Sequence, residues 1–144
     1  MKKFNKLTAI ILACAMMLMM AACGSKTYSS LEEWYSDNPA YEKTMQTMLS
    51  SQKADGLSME FDIQDNSLVY RYIYDQAVFG QSEEIDAAAK ELLDSALEQQ
   101  KSNFTQGIDE IAKASKIDAS TISVVLEYYN PGESAPSYSQ TITK

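Results

Sequence analysis

The sequence predicts an α+β domain: an antiparallel sheet of about four strands, built as two hairpins, with helices packed on one face in the order α-β-β-α-β-β. Three stretches carry that expectation. Leu57, Met59, Phe61 and Ile63 alternate with polar residues, and after Asp65-Asn66 the alternation resumes as Leu68, Tyr70, Tyr72 and Tyr74. An apolar stripe of helical period runs from Ile85 to Ile111. Ile122, Val124, Leu126 and Tyr128 then alternate again, ahead of the turn-forming Asn130-Pro131-Gly132-Glu133.

Taken in order, Ser30 with Glu33 three residues on has capping-box spacing and opens a helical turn that presents Leu31, Trp34 and Tyr35. Asp37-Asn38 interrupts it, and Pro39 suits the first position of a new helical run. Tyr41, Met45, Met48 and Leu49 then form one apolar stripe, which should end near 52–54 with Gly56 as its stop. In the first hairpin a two-residue turn at Asp65-Asn66 sets Ile63 against Leu68 and Leu57 against Tyr74, and on the other face Glu60 against Arg71. A slip of one residue would scatter that agreement. Gly80 and Ser82 lead into a helix expected from Glu83 to Ser115, with a weak point at Gln99 to Asn103 and Gly107; a break into two helices is the alternative. A weaker strand using Tyr138, Gln140 and Ile142 closes the chain.

The first 29 residues are of another kind. Lys2, Lys3 and Lys6 precede an apolar run from Leu7, and Met20-Ala21-Ala22-Cys23 ends it. This resembles a bacterial lipoprotein signal. The resemblance implies that residues 1–22 are removed, that Cys23 takes a diacylglycerol thioether, and that 23–29 form a polar tether to a single domain over 30–144. Two acyl chains give stable anchoring where one is marginal. A transmembrane helix is the competing reading, but a span needs about 20 apolar residues and this run is shorter and carries Thr8. The expected place is therefore the outer face of the cell membrane, with the bilayer itself as a partner through Cys23.

Removing the signal leaves nine basic against twenty acidic side chains, a net charge of −11. That balance argues against nucleic acid and against lying flat on an anionic surface. With Cys14 in the signal and Cys23 lipidated, no disulfide is expected. The chain has no histidine, so Cys/His zinc sites and His-containing catalytic triads are excluded. Arg71 is the single arginine, and the five glycines are too scattered to cradle a phosphate. No metal site and no cofactor beyond the lipid at Cys23 are expected: Asp62, Asp65 and Asn66 lack EF-hand spacing, and Met45, Met48 and Met59 sit at core positions.

The chain as a whole resembles a family of small lipoproteins from Gram-positive gut bacteria. The resemblance rests on Ala21 to Gly24, the Tyr-rich strand Leu68 to Asp75, and Tyr128-Tyr129-Asn130 with Gly132. It implies a short helix pair, a hairpin, a long helix and further strands, and it supplies no catalytic residues.

Function is expected to be non-catalytic binding of an envelope protein or glycan. Val69 and Ile73 flank Arg71 on the face opposite the tyrosines, and with Tyr129 they make the candidate partner surface. Tyr70, Tyr72, Tyr74 and Tyr128 are expected as sheet-helix core with hydroxyls at a wet edge, rather than as a sugar-binding face. The alternative is a glycan hydrolase working through an Asp/Glu pair, for which Glu60 and Asp62 are the first pair to inspect, although Glu60 is better explained as the partner of Arg71. A two-lobed solute receptor does not fit this length.

Overall fold

The computed structural model describes residues 26–51, 55–80 and 83–144. Cys23, the segment 1–22, the expected helix stop at 52–54 and Ser82 lie outside the described residues. The elements are α1 (Leu31–Ser36), α2 (Pro39–Ser51), β1 (Leu57–Gln64), β2 (Ser67–Tyr74), α3 (Glu83–Ser115), a single 3₁₀ turn (Ala119–Thr121), β3 (Ser123–Tyr129) and β4 (Tyr138–Thr143). The order is thus α-α-β-β-α-β-β, with two helices before the first hairpin where one was expected. Asn38 makes the division, because its Nδ2 donates to the Trp34 carbonyl at 2.6 Å and its own carbonyl receives the Tyr41 N–H at 2.9 Å. The polypeptide turns there, and Pro39 restarts the helix.

Ser30 caps α1 by accepting the Glu33 N–H at 3.2 Å. The return bond of a capping box shifts one residue upstream, since Glu33 Oε2 takes the Ser29 N–H and hydroxyl at 2.9 and 2.7 Å. Lys26 also ion-pairs with Asp37 and Tyr28 packs on the core, so this part of the expected tether lies along α1. Helix α3 runs unbroken through Gln99–Asn103 and Gly107, and its 33 residues span about 50 Å at 1.5 Å per residue. It buries Ala89, Leu93, Ala96, Phe104, Ile108 and Ile111.

The β1-β2 register is the expected one, from Leu57 opposite Tyr74 to Gln64 opposite Ser67, with Asp65 in the left-handed region at φ 53°. Strands β3 and β4 pair antiparallel, from Ser123 opposite Thr143 to Tyr128 opposite Tyr138. The sheet order is β1-β2-β3-β4, and here the expectation of an all-antiparallel sheet fails: β2 and β3 are parallel. A helix that carries the chain back along the sheet delivers the next strand in the same direction as the last, which is the geometry of a crossover connection. The two hairpins are joined through their inner strands by that one crossover.

An asparagine fastens each end of the parallel pair. Asn66 Oδ1 accepts the Leu31 N–H at 2.9 Å, its carbonyl accepts the Ser123 N–H at 3.1 Å and its Nδ2 donates to Thr121 Oγ1 at 3.2 Å. At the far end Asn130 is buried, its Oδ1 accepting the N–H groups of Val78 and Phe79 at 2.7 and 3.0 Å and its Nδ2 donating to the Phe79 carbonyl at 2.8 Å. The loop leaving β2 is thereby tied to the end of β3, which is possible only because both strands finish at the same edge.

One sheet face and the three helices enclose a single core. It holds Leu31 and Trp34 from α1, Tyr41 and Met45 from α2, Leu68, Tyr70, Tyr72 and Tyr74 from β2, and Val124, Leu126 and Tyr128 from β3. Tyr72 and Tyr128, opposite each other in the parallel register, stack at 5.1 Å. The tyrosines are core, as expected, but their hydroxyls do not all reach water: those of Tyr41 and Tyr74 are buried and have no hydrogen-bond partner among the described residues. Burial pushes both phenols well above the ordinary tyrosine range.

Candidate functional site

The face of the sheet away from the helices carries cross-strand rows of small and charged residues. Glu60, Arg71, Glu127 and Ser139 form one row, and Asp62, Val69, Val125 and Thr141 the next. Arg71 sits opposite Glu60 as expected but does not bond to it. Its Nε donates to Glu127 Oε2 at 3.2 Å and its Nη2 to Asp62 Oδ2 at 3.4 Å. The parallel strand brings Glu127 alongside, and that carboxylate, with Tyr129 donating its hydroxyl at 2.8 Å, forms the stronger anchor. The guanidinium pKa rises because these charge-assisted bonds outweigh the cost of its partial burial.

Of the residues expected to form a partner surface, Arg71, Ile73 and Tyr129 lie together on this face and Val69 is buried. Ile73 and Tyr129 are direct neighbours across β2 and β3 and are half-buried, and Arg71 lies beside them. Val69, expected to flank Arg71 outward, is only 2% exposed and is unavailable for contact. It sits between Asp62 of β1 and Val125 of β3, an inner-strand position that follows from strand order and that alternation does not encode.

A concavity lies at the edge of β1, with a cavity volume of about 900 Å³. Gln46, Leu49 and Ser50 of α2 line it together with Leu57 to Asp62 of β1, Asp55 and Arg71. Three chemical features meet there. Leu49, Leu57, Met59 and Phe61 are apolar and only partly buried. Asp55, Glu60 and Asp62 place three carboxylates against one guanidinium. The third feature is backbone. Gly56 accepts the Asp75 N–H at 3.0 Å, so the β1-β2 ladder is made by even-numbered residues of β1. Antiparallel alternation then turns the N–H and C=O of Leu57, Met59 and Phe61 outward, where no strand and no bonded partner among the described residues meets them.

This edge was not singled out in the sequence, because alternation marks a strand's faces and says nothing of whether the strand is an edge. A signal was nevertheless present: β1 has eight residues without Pro, Lys or a bulge, the devices that usually protect an exposed edge. Gly56 shapes its start. At φ 84°, with a Cβ position only 2.9 Å from Asp75 Oδ1, it admits no other residue without strain.

Glu60 and Asp62 project from the same face of β1, with Glu60 exposed and Asp62 engaged by Arg71. Among the described residues no cluster of acidic, Cys or His side chains is arranged to hold a metal ion, and no helix is long and apolar enough to cross a membrane.

The family model of a domain of unknown function, DUF4854, matches residues 31–135, and the chain belongs to that family. No curated protein and no solved structure matches it.

Proposed function

We propose that this DUF4854 protein is a lipid-anchored, non-catalytic binding domain on the outer face of the cell membrane, tethered through Cys23 and presenting the β1 groove to an envelope protein or glycan. The observation that carries the reading is the convergence, in one open groove, of partly exposed apolar side chains, outward backbone groups and solvated carboxylates. Such a surface offers contact area and hydrogen bonds to a ligand. The anchoring rests on the residues around Cys23. A two-carboxylate hydrolase draws less support: Asp62 is occupied by Arg71 and the groove is open to solvent, whereas an acid/base pair needs environments that separate the two carboxyl groups.

Two measurements test the proposal in the native envelope. A photocrosslinking side chain replacing Leu49 is expected to trap a partner, while the same group at Thr141, on the open face of β4, traps little. Equal labelling from both positions, or none, would remove the groove as the binding site. Replacing Cys23 by Ser should move the protein from the membrane fraction to the soluble one; retention on the membrane with residues 1–22 removed would end the lipid-anchor reading.

A further inference from the structure

We infer that the β1 groove takes an extended, basic polypeptide segment, which adds to the sheet as a fifth strand beside β1. This rests on the binding reading above and names the class of partner.

Leu57, Met59 and Phe61 each turn one N–H and one C=O toward the groove, at the two-residue spacing that an incoming strand presents in return. A glycan does not offer donors and acceptors alternating at that repeat. Strand addition of this kind draws affinity from main-chain bonds and specificity from alternate side chains.

The side-chain argument then sets the sequence of the guest. Residues of a strand added to β1 point alternately to the two sheet faces. Those on the helix side meet Leu49, Met59 and Phe61, which favour apolar partners. Those on the open side fall beside Glu60 and Asp62, with Asp55 at the groove's end. Even-numbered residues of β1 would form the closely spaced, non-hydrogen-bonded pairs with the guest, so a Lys or Arg opposite Glu60 stands close to it. Among the described residues that line the groove the cation is Arg71, and it already serves Asp62 and Glu127, so the exposed carboxylate of Glu60 is left to meet a basic guest. The chain's overall net charge of −8 adds long-range attraction of the same sign.

The same geometry disfavours a second copy as occupant. Antiparallel self-pairing of β1 about a two-fold axis in the register that matches Leu57 with Ile63, and so joins the outward groups of the two copies, sets Glu60 directly against Glu60 of the other copy, and like charges so placed are destabilising.

The test uses the full chain purified in detergent and three fluorescent nine-residue probes: alternating Val/Lys, alternating Val/Glu, and the Val/Lys peptide N-methylated at alternate residues on its pairing edge. Anisotropy is expected to show the Val/Lys probe binding at least tenfold more tightly than the other two. Hydrogen exchange should slow at the amides of Leu57, Met59 and Phe61 when it binds. Glu60→Lys changes an exposed side chain and is expected to reverse the preference between the Lys and Glu probes. Met59→Pro removes an outward N–H that β2 does not use, a substitution edge strands tolerate, and should abolish binding with the circular dichroism spectrum retained. Binding unaffected by N-methylation, or without protection of those three amides, overturns the strand-addition inference. So does a concentration-dependent dimer protecting them without peptide. If the Leu49 crosslink forms in the envelope while every probe fails, strand addition falls and the binding reading stands; if both fail, both fall.

Discussion

At the β4 edge the sheet is fastened to its helix by side chains, whereas at the β1 edge it is left with a groove beneath α2. Tyr138 donates its hydroxyl to Asp94 on α3 at 2.6 Å, Gln140 donates to the same carboxylate oxygen at 2.7 Å, and Tyr128 donates to Gln140 Oε1 at 2.9 Å. Lys144 of the same side ion-pairs with Asp109. Among the described residues no hydrogen bond joins α2 to β1, and Leu49, Met59 and Phe61 along this edge are only partly buried. A polar network of fixed geometry allows one arrangement of helix and strand, while an apolar contact of this sort tolerates repacking. The difference suits a closed edge that specifies the fold and an open edge that receives a ligand.

The largest effect should come from breaking the closed side at its centre. Tyr128 is fully buried, stacked between Tyr72 and Tyr138, and Tyr128→Ala is expected to cost about 3–5 kcal/mol in denaturant unfolding. Leu49→Ala on the open side should cost only about 1 kcal/mol, because much of that side chain already meets water. Equal losses would show that the two edges are equally well packed.

Next in size is the network itself. Gln140→Leu fills similar space but strips the Tyr128 hydroxyl of its acceptor and Asp94 of a donor, so about 1–3 kcal/mol should be lost, with unfolding curves showing a lower midpoint at unchanged slope.

A pH titration separates the edges more finely. Burial, with the Asp94 bond adding to it, pushes Tyr138 up to about 12; burial, with Glu42 and Asp62 nearby, does the same for Tyr35 on the open side. The unfolded value is near 10, so between about 10 and 12 the folded state binds more protons. The stability is fully present below pH 10 and is lost as pH rises through 12. Asp94→Asn is expected to lower the Tyr138 transition in an absorbance titration while that of Tyr35 stays in place.

The smallest change tests the unpartnered phenols. Tyr74→Phe and Tyr41→Phe remove hydroxyls that have no hydrogen-bond partner among the described residues, so each should alter stability by less than about 0.5 kcal/mol or raise it. Tyr128→Phe, which breaks a real bond, should cost about 1 kcal/mol. A loss above about 1 kcal/mol at Tyr74 would mean that water satisfies its hydroxyl.

Much of this architecture was legible in residue order, and the legible part is local. The Asp65-Asn66 turn and the alternation around it determined the β1-β2 register, because a two-residue loop leaves one way to put Leu57 to Ile63 and Leu68 to Tyr74 on a common face. The Ser30 cap, Pro39 and the stripe from Ala89 to Ile111 likewise marked the helices from neighbouring residues alone. What only the tertiary structure decided is which strands became neighbours. Period-two alternation assigns a side chain to a face and is silent on the strand beside it, so the parallel β2-β3 pairing, the move of Arg71 from Glu60 to Glu127 and the burial of Val69 all waited on where α3 delivers the chain. The β1 groove has the same origin: Leu49 and Phe61 meet there because packing sets α2 above a strand that the crossover left at the edge of the sheet.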